Sequence, residues 1–337
     1  MGAVVPAKQE RSGLMVEARH VSTMPARQGT RIEICEVGPR DGFQIEKSFI
    51  PTGRKIEIVN GLIDAGLRKV QVTSFVSPRA VPQLADAAEV LAGVKRRPGT
   101  VLTALVPNAR GAERAAETQL DVMGVFCSAS ETHSRKNVNA SIDETLARFP
   151  AVVEIASAAG KRVQGDVATA FGCPFEGDVA PEQVVRIARF YRDLGIVDLN
   201  LGDTTGMATP TNVSALLAAL RAAVPEMTVT LHFHNTRGVG LANVMVGLAE
   251  GVTRYDSSIG GLGGCPFAAG ASGNICTEDL VYLLQESGYE TGIDLDQLID
   301  VARLTQTSLG RELPGQVMKA GPRLTRHGVD DVATAAG

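Results

Sequence analysis

The stretch IVDLNLGDTTGMATPTNVSALLAALRAA, residues 196–223, holds one full period of the architecture. Leu199 and Leu201 alternate with Asp198 and Asn200, a period of two that predicts a strand over 196–201. After a short loop, Pro210-Thr211 is a helix-start signal, and the apolar residues then recur at helical spacing over Thr211–Ala223. The same switch recurs on both sides. Strands are predicted over 31–37, 69–75, 101–106, 121–127, 162–169, 227–233 and 254–259 as well. Helices are predicted over Thr52–Ala65, Ala85–Val94, Glu144–Ala159, Pro181–Leu194, Leu241–Glu250 and Thr277–Ser287. Pro51-Thr52, Ser141 with Glu144 three residues later, and Thr277 before Glu278 and Asp279 mark starts. Gly66, Gly160, Gly195, Gly251 and Gly288 mark ends. Eight strand-then-helix units make a (β/α)8 TIM barrel the leading fold. An open doubly wound sheet is the alternative, but no GxGxxG follows the first strand.

The barrel is expected to fill 31–290. Residues 1–30 read as a flexible extension, and 291–337 as a C-terminal helical segment near the barrel mouth or rim. The 337 residues are 44% hydrophobic and 21% charged, which allows a packed core. A net charge of −4 argues against a nucleic-acid partner, and 4% aromatics with no Trp argue against base stacking. No apolar run approaches 18 residues, so no membrane span is expected. Five cysteines without a CxxC pair suit free thiols and a cytoplasmic location.

Active sites of this fold lie at the C-terminal ends of the strands. Strand 7 ends in His232-Phe233-His234, and a strand places residues two apart on one face. Two imidazoles aimed at one point favour a metal over a hydrogen-bonded pair. Asp41, in the loop after strand 1, is a hard-oxygen candidate on the same mouth. The glycine-dense loop after strand 8 carries Cys265 and Asn274. Asp41, His232, His234 and the Asn274 amide suit Mg²⁺ or Mn²⁺. A zinc site using Cys265 is the competitor.

The runs EVGPRDGFQ (36–44), TSFVSP (73–78), LGD (201–203), HFHNTRG (232–238) and GLGGCPFAAGASGNICTEDLVYLL (261–284) resemble the 3-hydroxy-3-methylglutaryl-CoA lyase family. More broadly they resemble the metal-dependent lyase and Claisen-condensing barrels that include isopropylmalate and homocitrate synthases. The resemblance implies that Asp41, His232, His234 and Asn274 are metal ligands. It implies that Arg40 meets the thioester carbonyl and that Cys265 exchanges a proton from a mobile loop. Lys47 and Asn137 fall where the family contacts CoA, with Gln44 and Thr204 as further substrate contacts. Asp203 and Glu278 look like supports behind the site, although Asp203 could equally be a loop cap. A homodimer or larger homo-oligomer is expected.

The chemistry asks for these residue types. Breaking the C2–C3 bond of a 3-hydroxyacyl thioester requires a metal near the hydroxyl, a base for its proton and a cation for the enolate oxygen. Asp41 or His232 could be the base, and Cys265 could protonate the carbon. The sequence departs from the lyase pattern in four polar places. Gln71 stands where a catalytic glutamate is usual, Gln164 for an arginine, Asp166 for a tyrosine, and Asn235 for an acidic residue. Ile45 replaces a polar residue near the CoA entrance. Gln71, Gln164 and Asp166 are therefore expected beside the acyl end of the substrate. Weak activity on hydroxymethylglutaryl-CoA is expected, with better activity on a related thioester such as a citramalyl type. An acetyl-CoA-condensing synthase and a non-catalytic CoA-ester-binding barrel are the competing readings.

Overall fold

The computed structural model of the chain describes residues 29–264 and 273–326. Its centre is a closed barrel of eight parallel strands in sequence order. They are β1 (Glu33–Glu36), β2 (Lys69–Ser74), β3 (Val101–Leu105), β4 (Val122–Ser128), β5 (Arg162–Ala168), β6 (Asp198–Asp203), β7 (Thr228–Phe233) and β8 (Arg254–Ser257). β1 closes the ring by pairing with β8, Ile34 opposite Tyr255 and Glu36 opposite Ser257. The outer ring holds α1 (Thr52–Asp64), α2 (Ala87–Gly93), α3 (Ala109–Ala116), α4 (Glu131–Val138), α5 (Ile142–Leu146), α6 (Phe149–Ala158), α7 (Pro181–Asp193), α8 (Pro210–Ala223), α9 (Gly240–Ala249) and α10 (Thr277–Glu286). Each predicted strand is present, with bounds within about two residues of those expected.

The alternation that made the strands legible has a physical origin. One face of each strand packs on the helices and is apolar: Val70, Val72, Leu102, Met123, Val125, Leu199, Leu201, Leu231, Phe233 and Tyr255 are all buried in one core. The other face fills the barrel and is polar for much of its length, with Gln71, Thr103, Gln164, Asn200, Thr230, His232 and Asp256 buried there. Burying this many polar groups costs free energy unless they are paired. Their pairing builds the site described below.

Local chemistry fixes the element ends. Ser141 and Glu144 form a reciprocal capping box at the start of α5, and Thr209 and Asn212 form another ahead of Pro210 on α8. The single helix expected over Glu144–Ala159 is two, α5 and α6. Pro150 has no N–H and cannot continue a preceding helix, so it sits in the first turn of a new one. Gly165 on β5 allows Tyr191 of α7 to lie against the sheet. A Cβ there would stand 2.5 Å from the Tyr191 ring.

The C-terminal helices are α11 (Leu295–Leu309) and the short α12 (Val317–Ala320). α11 packs between α1 and α10 and touches the turn Ile259–Gly261 that follows β8. It thus joins the outer ring and reaches the mouth only at that turn. At the opposite face, Ile32 N–H donates to Glu290 O and Glu290 N–H donates to Thr30 O, tying the start of β1 to the segment after α10. The expected extension lies, for residues 1–28, outside the described residues, as do Cys265 and residues 327–337.

Candidate active site

Asp41 rides on a π-helical turn, Gly38–Gly42, that follows β1 at the barrel mouth. The turn is held from below by Glu36, which is fully buried. Its Oε1 accepts from the Gly38 N–H at 2.7 Å and the Ile259 N–H at 2.8 Å, and its Oε2 accepts from Thr277 Oγ1 at 2.6 Å. One carboxylate thereby links the loops after β1 and β8 and the start of α10. Gly42 is required by the same close approach, since a Cβ there would lie 2.6 Å from the Leu262 Cβ.

The end of β7 brings in the imidazoles. His232 and His234 have ring centroids 5.3 Å apart, and both are buried. One ligand atom from each of Asp41, His232 and His234 lies within 4.8 Å of the others. These three residues could hold a metal ion. His234 turns Nε2 toward Asp41 Oδ2, 3.8 Å away and beyond hydrogen-bond reach, so that nitrogen is left for a ligand role. His232 Nδ1 lies 3.1 Å from Asp256 Oδ2, so its other nitrogen is left for a ligand role.

Electrostatics prepare the set. Burial alone would raise Asp41, but the Arg40 guanidinium, the two imidazoles and the Asn274 amide outweigh it and hold it at about 2. Burial and the neighbouring His232 hold His234 at about 4, so its ring is neutral at pH 7. Burial would lower His232, yet Asp256 and Asp41 shift it upward.

A cavity of about 320 Å³ opens over this cluster. Arg40, Asp41, Gln44, Gln71, Asn137, Asp166, Thr204, His232 and His234, nine of the predicted site residues, line it. Arg40 donates from Nη1 to Asp41 Oδ1 at 2.5 Å and from Nε to Gln71 Oε1. Gln71 thus orients the guanidinium. Gln44 Nε2 reaches Asp41 Oδ1 at 3.3 Å. Thr204 Oγ1 accepts from the Thr169 N–H at 3.0 Å, at a residue whose φ of 55° is unusual for a β-branched side chain.

The remaining expected residues are placed as follows. Asn274 is at the cluster, but its Nδ2 donates to Asp41 Oδ2 at 2.7 Å and to Leu262 O at 2.9 Å. A carbonyl oxygen accepts and never donates, so the Leu262 contact fixes the nitrogen on that side. Asn274 thereby braces the Asp41 carboxylate through its nitrogen, and its amide oxygen takes no part in these bonds. Gln164 does not line the cavity. It lies a layer deeper, with Oε1 on Lys69 Nζ at 2.9 Å and Nε2 on Asp166 Oδ1 at 2.8 Å. Lys47 is exposed and off the cavity wall. Asp203 caps its own loop, accepting on Oδ1 from the Met207 and Ala208 N–H groups. Glu278 is buried and accepts from the Gly260 N–H, bracing the turn after β8. Asn235 caps the start of α9 through the Gly240 N–H. Cys265 lies outside the described residues, and Gly264, the residue before it, lines the cavity.

Four contributors were not anticipated: Glu36, Lys69, Asn200 and Asp256. Asn200 Nδ2 donates to Asp256 Oδ2 at 2.6 Å, so one carboxylate oxygen serves both Asn200 and His232. The signal was present as ionisable or amide residues inside strand segments otherwise reading as core. Asp256 stands directly opposite His232 in the β7–β8 register.

Residues 31–305 match the model of the HMGL-like family. The chain belongs to the HMGL-like family. Among curated relatives, the mitochondrial hydroxymethylglutaryl-CoA lyase of Rattus norvegicus is 44% identical over 87% of this chain and 90% of its own length. The hydroxymethylglutaryl-CoA lyase YngG of Bacillus subtilis is 44% identical over 85% of this chain and 96% of its own. Among solved structures, an HMG-CoA lyase from Acinetobacter baumannii in complex with coenzyme A and 3-methylmalate superposes with a TM-score of 0.84. It is 43% identical and covers 88% of this chain and 97% of that one. HMGL-like membership thus accounts for the closed barrel and the resemblance in the strand-end motifs.

Proposed function

We propose that the chain is a divalent-metal-dependent carbon–carbon lyase acting on a 3-hydroxyacyl-CoA thioester, hydroxymethylglutaryl-CoA or a close analogue. The observation that carries this reading is the cluster of Asp41, His232 and His234, within 4.8 Å of one another, beside Arg40 at the mouth of a barrel of this family. The donor set of Asp41, His232, His234 and the Asn274 amide oxygen suits Mg²⁺ or Mn²⁺. A divalent ion held there supplies Lewis acidity, lowering the pKa of a hydroxyl oriented toward it.

The chain's own residues do the rest. A guanidinium has five N–H donors, and Gln71 and Asp41 engage two in Arg40. The remaining donors are available to the oxygen of an acetyl-CoA enolate, whose charge develops as the C2–C3 bond breaks. Cys265 is the proton donor to the enolate carbon. Gln44, Asn137 and Thr204 contact substrate within the cavity, and Lys47, at its exposed position, serves the CoA part.

Among the described lining residues Arg40 is the sole lysine or arginine, against Asp41, Asp166 and Asp256. A bound divalent ion brings the formal charge of these groups only to zero. An acyl end bearing a carboxylate therefore meets little net attraction, and a related thioester is expected to be cleaved faster than hydroxymethylglutaryl-CoA. We place the enzyme as a homodimer or larger homo-oligomer in the cytoplasm, where the buried free thiols of Cys35, Cys127, Cys173 and Cys276 stay reduced. No helix among the described residues is long and apolar enough to cross a membrane.

The test is a panel of 3-hydroxyacyl-CoA thioesters, assayed with and without Mg²⁺ or Mn²⁺ by acetyl-CoA release. Metal-dependent release from one or more of them is the expected result. No release from any, with metal present, rejects the lyase.

A further inference from the structure

Three carboxylates line the cavity among the described residues, and their surroundings differ. Asp41 has both oxygens engaged. Oδ1 accepts from Arg40 and Gln44, and Oδ2 accepts from Asn274 within the ligand cluster. Asp256 lies under His232, 4% exposed, with Oδ2 shared between His232 and Asn200. Asp166, on β5, is half-buried, and only its Oδ1 is engaged, by Gln164 Nε2 at 2.8 Å. Asp166 Oδ2 takes no hydrogen bond from the described residues.

Its orientation is imposed from the barrel interior. Lys69 Nζ can only donate, so Gln164 must present Oε1 to it, at 2.9 Å. That settles which end of the amide faces Asp166: Nε2 meets Oδ1, and Oδ2 is left toward the cavity. Such fixing of a reacting group by a supporting layer is what a proton-transfer geometry needs.

Neither imidazole of the ligand cluster offers the cavity a free basic nitrogen once a cation is held: His234 turns Nε2 toward Asp41, and its unpaired Nδ1 is buried. His232 Nδ1 is on Asp256, and its other nitrogen faces the cluster. His133, on the cavity wall, has Nδ1 on Ser128 Oγ at 3.0 Å, and burial holds it at about 4. Gln71 does not titrate. We propose that Asp166 is the catalytic group that accepts the proton of the substrate's 3-hydroxyl, with Lys69 and Gln164 as positioning residues.

This rests on the lyase reading. In the step, the hydroxyl O–H bond breaks and its proton passes to Asp166 Oδ2. The oxygen forms the new C=O as the C2–C3 bond breaks, and that bond's electron pair becomes the enolate of acetyl-CoA. A proton donor then completes the methyl group, and Asp166 returns its proton to solvent, so the cycle takes up and releases none overall. Burial raises Asp166 to about 7, with Asp256 adding to the rise and Gln164, Arg40 and His232 opposing it. That lies in the range where a base is both free to accept and strong enough to do so. Lys69 on β2, Arg40 after β1, His232 on β7, Asp256 on β8 and Tyr191 on α7, whose hydroxyl donates to Asp166 O at 2.9 Å, are the charged or titratable groups around it.

The experiment compares the wild-type protein with Asp166→Asn, metal-loaded, on the best thioester of the panel. Loss of kcat by about 10²- to 10⁴-fold is expected. Mn²⁺ affinity by calorimetry should stay within twofold, and the residual activity should lack the acid limb of the wild-type profile. An Asp166→Asn kcat within threefold of wild type, or an unchanged acid limb, overturns the assignment. If that variant fails to fold, Asp166→Ala decides: a kcat lost by the same factor and partly restored by added formate supports the proposal, and a kcat within threefold of wild type overturns it. A wild-type protein that cleaves no thioester of the panel rejects the lyase reading and this proposal with it. Wild-type turnover with an active Asp166→Asn rejects only the proposal.

Discussion

Asp256 Oδ2 stands 3.1 Å from His232 Nδ1, a carboxylate directly behind an imidazole whose other nitrogen faces Asp41 and His234. Such a contact fixes the ring's tautomer and raises its basicity toward a metal. Asp256→Ala should therefore weaken Mn²⁺ binding about 10- to 100-fold. Calorimetric titration checks this directly, and unchanged affinity rules the role out.

Removing a ligand is more severe. Asp41→Ala and His232→Ala should each abolish turnover and metal retention while the circular dichroism spectrum stays that of the barrel. Chelation of the wild-type protein should do the same, reversibly. Full activity in protein shown by elemental analysis to be metal-free excludes the metal reading.

Gly42 tests how closely the mouth is packed. A Cβ there would lie 2.6 Å from the Leu262 Cβ, so Gly42→Ala must displace the loop after β1, the loop after β8, or both. Overpacking of this kind costs about 1–3 kcal/mol. Urea denaturation should show that loss, and because Arg40 and Asp41 lie on the same turn, kcat should fall as well. Stability equal to wild type would mean that the loops separate freely.

Cys265 tests the donor assignment. Cys265→Ser should lose kcat by about 10²-fold or more, as removal of a general acid does, with Mn²⁺ affinity retained. A wild-type rate assigns the donor role elsewhere.

The barrel was legible because its strands are chemically two-sided. Leu199 and Leu201 face the helices while Asp198 and Asn200 face the interior, and that contrast survives in a linear reading. The His232–His234 pair was legible for the same reason. Asp256 was not, because its importance comes from standing opposite His232 across a strand pair, and register is not written in either strand alone. Gln164 was placed on the right face but at the wrong depth. Alternation gives direction, whereas depth depends on the barrel's stagger, which put Lys69 within reach of it. The contact between the Asn274 nitrogen and Asp41 was not legible either, because it is set by Leu262 O, a backbone atom no motif displays.

Glu278 makes a prediction about pH. It is fully buried behind the turn Ile259–Gly261, and its carboxylate accepts from the Gly260 N–H. Burial raises it from an ordinary 4.5 to about 7, against the opposing hydrogen bonds from Cys276 and Gly260. Between those two values the folded protein holds a proton that the unfolded chain has released. Its contribution to stability is therefore full below about pH 4.5 and lost as the pH rises through 7, a change on the order of 3 kcal/mol. Glu278→Gln removes the titration and keeps an oxygen for Gly260. Other groups titrate over the same range, so the informative quantity is the difference between the two proteins. Unfolding free energies from urea titrations at pH 5 and pH 8 should show Glu278→Gln gaining on wild type at the higher pH. A difference independent of pH would mean that Glu278 stays ionised in the fold, its hydrogen bonds having outweighed its burial.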